Sequence, residues 1–326
     1  MRFLGIDIGG ANTKIATSDR AIVELHYLPL WKDTTLPQTL KDIAKRLNPD
    51  MVAVVITGEL ADCFEDKMHG LKFIMQAVEN AFGCEVRYIG TNGEVHEHGE
   101  ELRNLAPANW AASSRLIGEE IGDCIFVDVG STTTDIIPIV DAKHIASTTD
   151  FKRLLASELV YMGTLRTNVA TLLDKVELEQ GTCRVSSELF TTTGDVYLLL
   201  EDIRPETYTC TTADGAGKSR IEAMRRLARL VCADLEEISQ DDVMDIARQV
   251  REKQISLLTE AISTVSQKYG TSRIVAAGIG EFMIIEAAET LGMEYISVAE
   301  KWGKEISDVF PAYAAAWLIE KGENRQ

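Results

Sequence analysis

The chain has 326 residues, 45% hydrophobic and 26% charged, the make-up of a globular protein with room for about two domains. Its 33 Lys and Arg stand against 51 Asp and Glu, a formal charge of −18, which argues against nucleic acid or an anionic membrane surface as the main partner. No stretch of about 18 apolar residues occurs, glycines and Asp7 interrupt the N-terminal apolar run, and the six cysteines lack CxxC spacing; a cytoplasmic protein with free thiols is expected, without membrane span or signal peptide.

In chain order, residues 2–8 read as a buried strand, Gly9 to Asn12 as a turn that tolerates positive φ, and 13–17 as a returning strand. An amphipathic helix is predicted over 39–47, a buried strand over 50–57, a polar loop over 58–65, a helix over 71–82 and a strand over 85–89. A helix rich in small residues follows over 106–118. The pattern then recurs: strand 123–128, a Gly/Ser/Thr turn, strand 136–140, so an internal duplication is expected. Residues 151–173 read as mostly helical with Gly163 interrupting, and 181–220 as an irregular Thr-rich insert. A helix over 219–234 carries Arg220, Arg225, Arg226 and Arg229, which read as a solvated face. Ser239 is a good N-cap for a long helix reaching Lys268. Strand 272–277, a turn over 278–280, helix 281–291, strand 295–298 and a closing helix from Pro311 complete the chain.

Three constellations carry chemistry. In Asp7-Ile8-Gly9-Gly10-Ala11-Asn12-Thr13-Lys14, glycines let backbone N–H groups converge on phosphate oxygens, and Thr13 and Lys14 add donors and charge. Asp7, at a strand end, suits Mg²⁺ held partly through water. A tight hairpin whose glycines serve geometry alone reads the same residues. Asp128-Val129-Gly130-Ser131-Thr132-Thr133-Thr134-Asp135 repeats the design about 120 residues later, which is harder to dismiss. The third, Ala277-Gly278-Ile279-Gly280-Glu281, runs an apolar strand through a Gly-x-Gly turn into a helix, a weak signal alone. His96 and His98 form the one close histidine pair and read as a solvated loop.

Taken together, these two hairpins, the late Gly-x-Gly turn and the small-residue helices near 109–113 and 312–316 resemble the sugar kinase, heat-shock chaperone and actin superfamily. The resemblance implies an α/β fold of two duplicated actin-like (ribonuclease H-like) lobes with a cleft between them. It places a first lobe over 1–120, with a C-terminal helix over 311–322 packing at the hinge, and a second over 121–310 with the insert 181–220. Within that superfamily, Thr57-Gly58-Glu59-Leu60-Ala61-Asp62-Cys63-Phe64, with Lys67 and Gly70, is similar to the hydantoinase/oxoprolinase-like proteins linked to tetrahydromethanopterin C1 pathways. Segments 161–167, 193–197 and 212–215 look like further parts of that family.

The narrower resemblance implies a transferase of methanofuran biosynthesis with small-molecule substrates. The phenol of γ-glutamyltyramine would attack an aminomethylfuran-methyl diphosphate, forming an aryl ether and expelling diphosphate without ATP. Gly9, Gly10, Asn12, Thr13, Lys14, Gly130, Ser131, Thr132, Thr133, Gly278 and Gly280 are the expected diphosphate ligands. Asp7, Asp128 and Asp135 are the expected Mg²⁺ ligands. Glu59 and Asp62 are candidate bases for a phenol of pKa about 10, with solvated loop residues as the plain alternative. Lys14 and Arg166 would assist at the diphosphate, though Arg166 suits a structural salt bridge equally well. Asp195 and Asp214 suit substrate amines or turn caps, and Trp110 and Trp317 suit interhelix packing.

An ATP-dependent kinase, an amidohydrolase, and a nucleotide-gated binding protein are the competing readings. Residues 90–94 offer no clear Asp base and 277–280 lack a Gly-Gly pair, which weakens the kinase reading. Assembly into a homo-oligomer stays open.

Overall fold

The computed structural model describes residues 1–32, 35–97 and 104–324; His98 of the predicted loop lies outside them. The elements run β1 (Phe3–Gly9), β2 (Asn12–Thr17), β3 (Val23–Tyr27), α1 (Leu36–Leu47), β4 (Met51–Thr57), α2 (Lys67–Glu79), β5 (Glu85–Ile89), β6 (Val95–His96) and α3 (Asn109–Glu120). They continue with β7 (Cys124–Val129), β8 (Thr134–Val140), β9 (Lys143–His144), α4 (Asp150–Leu155), β10 (Leu159–Val160), β11 (Lys175–Leu178), β12 (Gly181–Arg184), α5 (Thr193–Leu199), α6 (Arg220–Arg229) and α7 (Gln240–Tyr269). The last are β13 (Arg273–Ala277), α8 (Glu281–Leu291), β14 (Glu294–Ser297), α9 (Val298–Trp302), α10 (Lys304–Asp308) and α11 (Phe310–Glu323).

One sheet has the order β3-β2-β1-β4-β5-β6, with β1 and β2 antiparallel and β1, β4 and β5 parallel. A second has the order β10-β8-β7-β13-β14, with β9 also pairing β8. In both, a hairpin comes first and later strands add beside its first member, the order a duplicated unit predicts. Strands β1, β4 and β7 are apolar and buried almost throughout, as interior strands covered on both faces must be.

Each compact unit draws on separate stretches of chain. Unit 1 is Met1–Phe126, Ile137–Glu158 and Ile296–Gln326; unit 2 is Val127–Ile136 and Leu159–Tyr295. Helix α11 thus groups with the first strands, and Ile137–Glu158, counted to the second lobe in the sequence reading, falls in unit 1. In unit 1, Leu4, Ile6 and Ile8 of β1 and Val52, Val54 and Ile56 of β4 pack with Leu40 and Ile43 of α1 and Ile74 and Val78 of α2. Helix α11 packs on β1 so closely that a Cβ on Gly5 would overlap the Ala312 carbonyl and lie 2.7 Å from the Ala316 nitrogen.

Two predicted segments differ. Of the predicted 151–173 helix, only the part within α4 (Asp150–Leu155) is α-helical, with a single 3-10 turn at Val169–Thr171. Beyond it the backbone turns to distant partners: the Thr134 hydroxyl donates to the Met162 carbonyl (2.8 Å), and the Thr164 N–H donates to the Gly130 carbonyl (2.9 Å). The 181–220 insert contains β12, which pairs with β11, and the buried α5. The long helix starts after Ser239 as predicted, with Ser239 and Asp242 forming a reciprocal capping box. All six cysteines are free thiols.

Candidate active site

In unit 1 the hairpin β1/β2 sets Asp7 opposite Lys14 and Ile8 opposite Thr13, so the turn between carries Gly9, Gly10, Ala11 and Asn12. Lys14 Nζ lies 3.8 Å from Asp7 Oδ2, and the Thr57 hydroxyl donates to Asp7 Oδ1 at 3.3 Å. Gly10 has open space where a side chain would stand, the condition for a ligand to approach its backbone. Parallel pairing sets Gly9 beside Thr57, so the loop after β4 leaves the sheet next to the glycine turn. This is the carboxyl end of parallel strands, where open α/β sheets bind ligands.

The next residues differ sharply. Glu59 is 2% exposed, whereas Asp62 is exposed. Burial raises the Glu59 carboxyl above its ordinary range; Lys67 opposes that shift and Asp150 adds to it. Lys67 Nζ lies 3.5 Å from Glu59 Oε1, while Glu59 Oε2 is buried without a hydrogen-bond partner among the described residues. Of the two predicted bases, Glu59 alone has the buried setting that raises basicity. Helix α2 begins at Lys67, four residues before the sequence signal, because Asp66 caps it by accepting from the His69 N–H at 2.8 Å. A lysine in the first turn opposes the helix dipole; that mismatch is the signal that could have drawn attention to Lys67.

In unit 2 the second turn closes through the Gly130 N–H donating to the Thr133 carbonyl at 2.9 Å. Residues 163–166 clasp it. The Leu165 and Arg166 N–H groups donate to the Ser131 carbonyl, and Arg166 Nη1 donates to Thr132 Oγ1 at 3.2 Å. Arg166 thus sits on a loop rather than in the predicted helical region. A Cβ on Gly163 would lie 2.5 Å from the Thr132 nitrogen. Gly278, at φ +92°, lies against Asp128, and the Gly280 N–H donates to the Val129 carbonyl at 3.0 Å. Asp128, Gly130, Ser131, Thr132, Thr133, Arg166, Gly278 and Gly280 therefore converge. Asp135 is buried on β8, opposite Leu159 of β10.

Behind this turn lies a polar scaffold. The Gly194 N–H of α5 donates to the Leu165 carbonyl, and the Thr193 hydroxyl donates to the Gly163 carbonyl. Arg226, expected on a solvated face, is wholly buried: Nη2 and Nε donate to Asp195 at 2.6 and 2.9 Å, and Nη1 to Asp214 at 3.2 Å. Asp195 and Asp214 therefore anchor an arginine, a role the sequence reading did not give them; Asp214 also accepts from the Ala216 N–H, the turn cap that reading allowed. Trp110 is buried with the Arg153 guanidinium 4.7 Å from its ring centre, so it packs as expected.

A hard cation prefers oxygen donors, and Mg²⁺ is commonly held by one or two carboxylates with water and substrate phosphates. Asp7 beside the first turn and Asp128 beside the second each offer one buried carboxylate and fit that role. Among the described residues no three His, Cys, Asp or Glu side chains group closely enough to hold an ion unaided. No described helix is long and apolar enough to cross a membrane.

The hydantoinase/oxoprolinase family profile matches residues 50–321. The chain is 40% identical to the Methanocaldococcus jannaschii protein named "(4-{4-[2-(gamma-L-glutamylamino)ethyl]phenoxymethyl}furan-2-yl)methanamine synthase", over 98% of this chain and 97% of that one. A Methanococcus vannielii protein of the same name is 38% identical over 62% of this chain and 93% of its own. Among solved structures, the nucleotide-free acetone carboxylase superposes on 90% of this chain and 50% of its own length, with a TM-score of 0.51 at 16% identity, a likeness of fold.

Proposed function

The chain belongs to the hydantoinase/oxoprolinase family, and from that membership we infer that it is the ether-forming synthase of methanofuran biosynthesis. The observation that carries this reading is 40% identity along nearly the full length of both chains to a synthase whose name describes a phenoxymethyl-furan product. The enzyme is a transferase acting on small molecules, and cytoplasmic work suits its substrates.

In the reaction, the phenol oxygen of γ-glutamyltyramine bonds to the methylene carbon of an aminomethylfuran-methyl diphosphate. The carbon–oxygen bond to diphosphate breaks, the electron pair leaves with diphosphate, and the phenol proton passes to a base. No oxidant and no ATP is needed. The furan ring delocalises positive charge on the departing carbon, so bond breaking runs ahead of bond making. Glu59 is the base: its raised proton affinity brings it nearer to the phenol, and Oε2 is the oxygen left to accept. The Gly9–Lys14 turn supplies backbone donors and the Lys14 ammonium to the anionic leaving group. The Gly130–Thr133 turn with Arg166 has the same donor character. Mg²⁺, held by Asp7 or Asp128, would neutralise charge on the diphosphate.

The test is incubation of purified protein with Mg²⁺ and the two substrates, without ATP. The ether mass should appear with one diphosphate per turnover, and ¹⁸O in the bridging position should leave with diphosphate. Absence of ether, or a requirement for ATP, overturns the reading.

A further inference from the structure

The first turn of α2 is built onto Glu59 in two ways. A Cβ on Gly70 would overlap the Glu59 carbonyl oxygen and lie 2.7 Å from Phe64 Cδ2, so glycine alone lets the helix rest on that peptide. One turn earlier, Lys67 brings Nζ to 3.5 Å from Glu59 Oε1. The two carboxylate oxygens are thereby divided: Oε1 faces an ammonium, and Oε2 is buried without a partner among the described residues. A buried carboxylate oxygen left bare is costly unless a ligand completes it. We propose that Lys67 is the positioning residue of the reaction: it holds Glu59 by Oε1 and leaves Oε2 for the phenol O–H.

This rests on Glu59 being the base. The charged groups acting on Glu59 are Lys67 of α2 and Asp150 of α4, and Asp150 is itself paired with Arg153 Nη1 at 3.2 Å. Lys67 is therefore the cation that opposes both burial and Asp150. At 44% exposure its ammonium stays hydrated while its partner does not. The Glu59 backbone N–H and the Lys67 ammonium both hold the carboxyl down against its burial.

The experiment follows the Glu59 carboxyl carbon by NMR in protein labelled with ¹³C at glutamate Cδ, assigned by its loss in Glu59→Gln. In Lys67→Met the Glu59 titration should move up by about one pH unit, and the acid limb of kcat/KM for ether formation should move with it. Lys67→Arg should restore both. At pH above the shifted limb, Lys67→Met should keep a lowered kcat because the carboxylate is no longer held. An unshifted titration in folded Lys67→Met overturns the proposal, as does a shift that Lys67→Arg fails to reverse. If Glu59→Gln makes ether at the parent rate, the base assignment falls; the NMR titration then still decides whether Lys67 governs Glu59.

Discussion

Replacing Arg226 with methionine strips unit 2 of the cation that neutralises Asp195. Both side chains are 0% exposed, and the pair is bidentate at 2.6 and 2.9 Å. Asp195 also accepts from the Thr191 and Tyr208 hydroxyls at 3.0 and 3.2 Å, two neutral donors that cannot replace a guanidinium. Leaving one member of a buried pair unpaired costs about 3–5 kcal/mol. For a unit of this size, ~2–4 °C per kcal/mol gives a Tm fall of roughly 6–20 °C. Calorimetry or far-ultraviolet circular dichroism reads it directly. An ammonium cannot reproduce the planar fork of the guanidinium, so Arg226→Lys should lose an intermediate amount. The double variant Arg226→Met/Asp195→Asn should lose less than the sum of its singles, because no charge is then stranded. A Tm within about 3 °C of the parent for Arg226→Met, or strictly additive losses, would refute the assignment of this pair as the anchor behind residues 163–167.

Glu59→Gln should stabilise the protein at neutral pH. The folded carboxyl has the higher proton affinity, so stability falls as pH rises from the unfolded value near 4.3 through the raised folded value, and it stays lower above that window. Urea midpoints should coincide below about pH 4 and favour the variant at pH 7; parallel profiles would contradict the burial of Glu59. Gly5→Ala should cost about 3 kcal/mol by forcing α11 off β1, read as a lower urea midpoint with an unchanged m-value. Lys14→Met should weaken magnesium diphosphate binding about tenfold by titration calorimetry; unaltered affinity would remove Lys14 from the leaving-group site.

The hairpins are legible because the same tokens carry their local structure and their chemistry: an apolar strand, an acid, glycines, hydroxyls and a returning strand. The start of α7 is legible for a similar reason, since the Ser239–Asp242 box acts over three residues. Arg226 misleads because its partner Asp195 stands 31 positions away, and a run of arginines carries no mark of which one is buried. The 161–168 segment misleads because Met162 and Leu165 suit a helix, while the Thr164, Leu165 and Arg166 N–H groups go to carbonyls of a turn some 34 residues earlier. Glu59 stands out by its loop position, but its burial shows only in the fold, where α2 rests on its peptide and Lys67 reaches Oε1.

Ribosomes make Gly5 of β1 about 300 residues before Ala312 of α11, yet the two meet in the finished protein. At translation rates of about 5–20 residues per second, the nascent strand waits roughly 15–60 s for its cover. Throughout elongation, an oily sheet surface is left for chaperones to shield. Vectorial, piecewise maturation is therefore closed to unit 1, and stalling shortly before α11 emerges should yield a protease-sensitive intermediate.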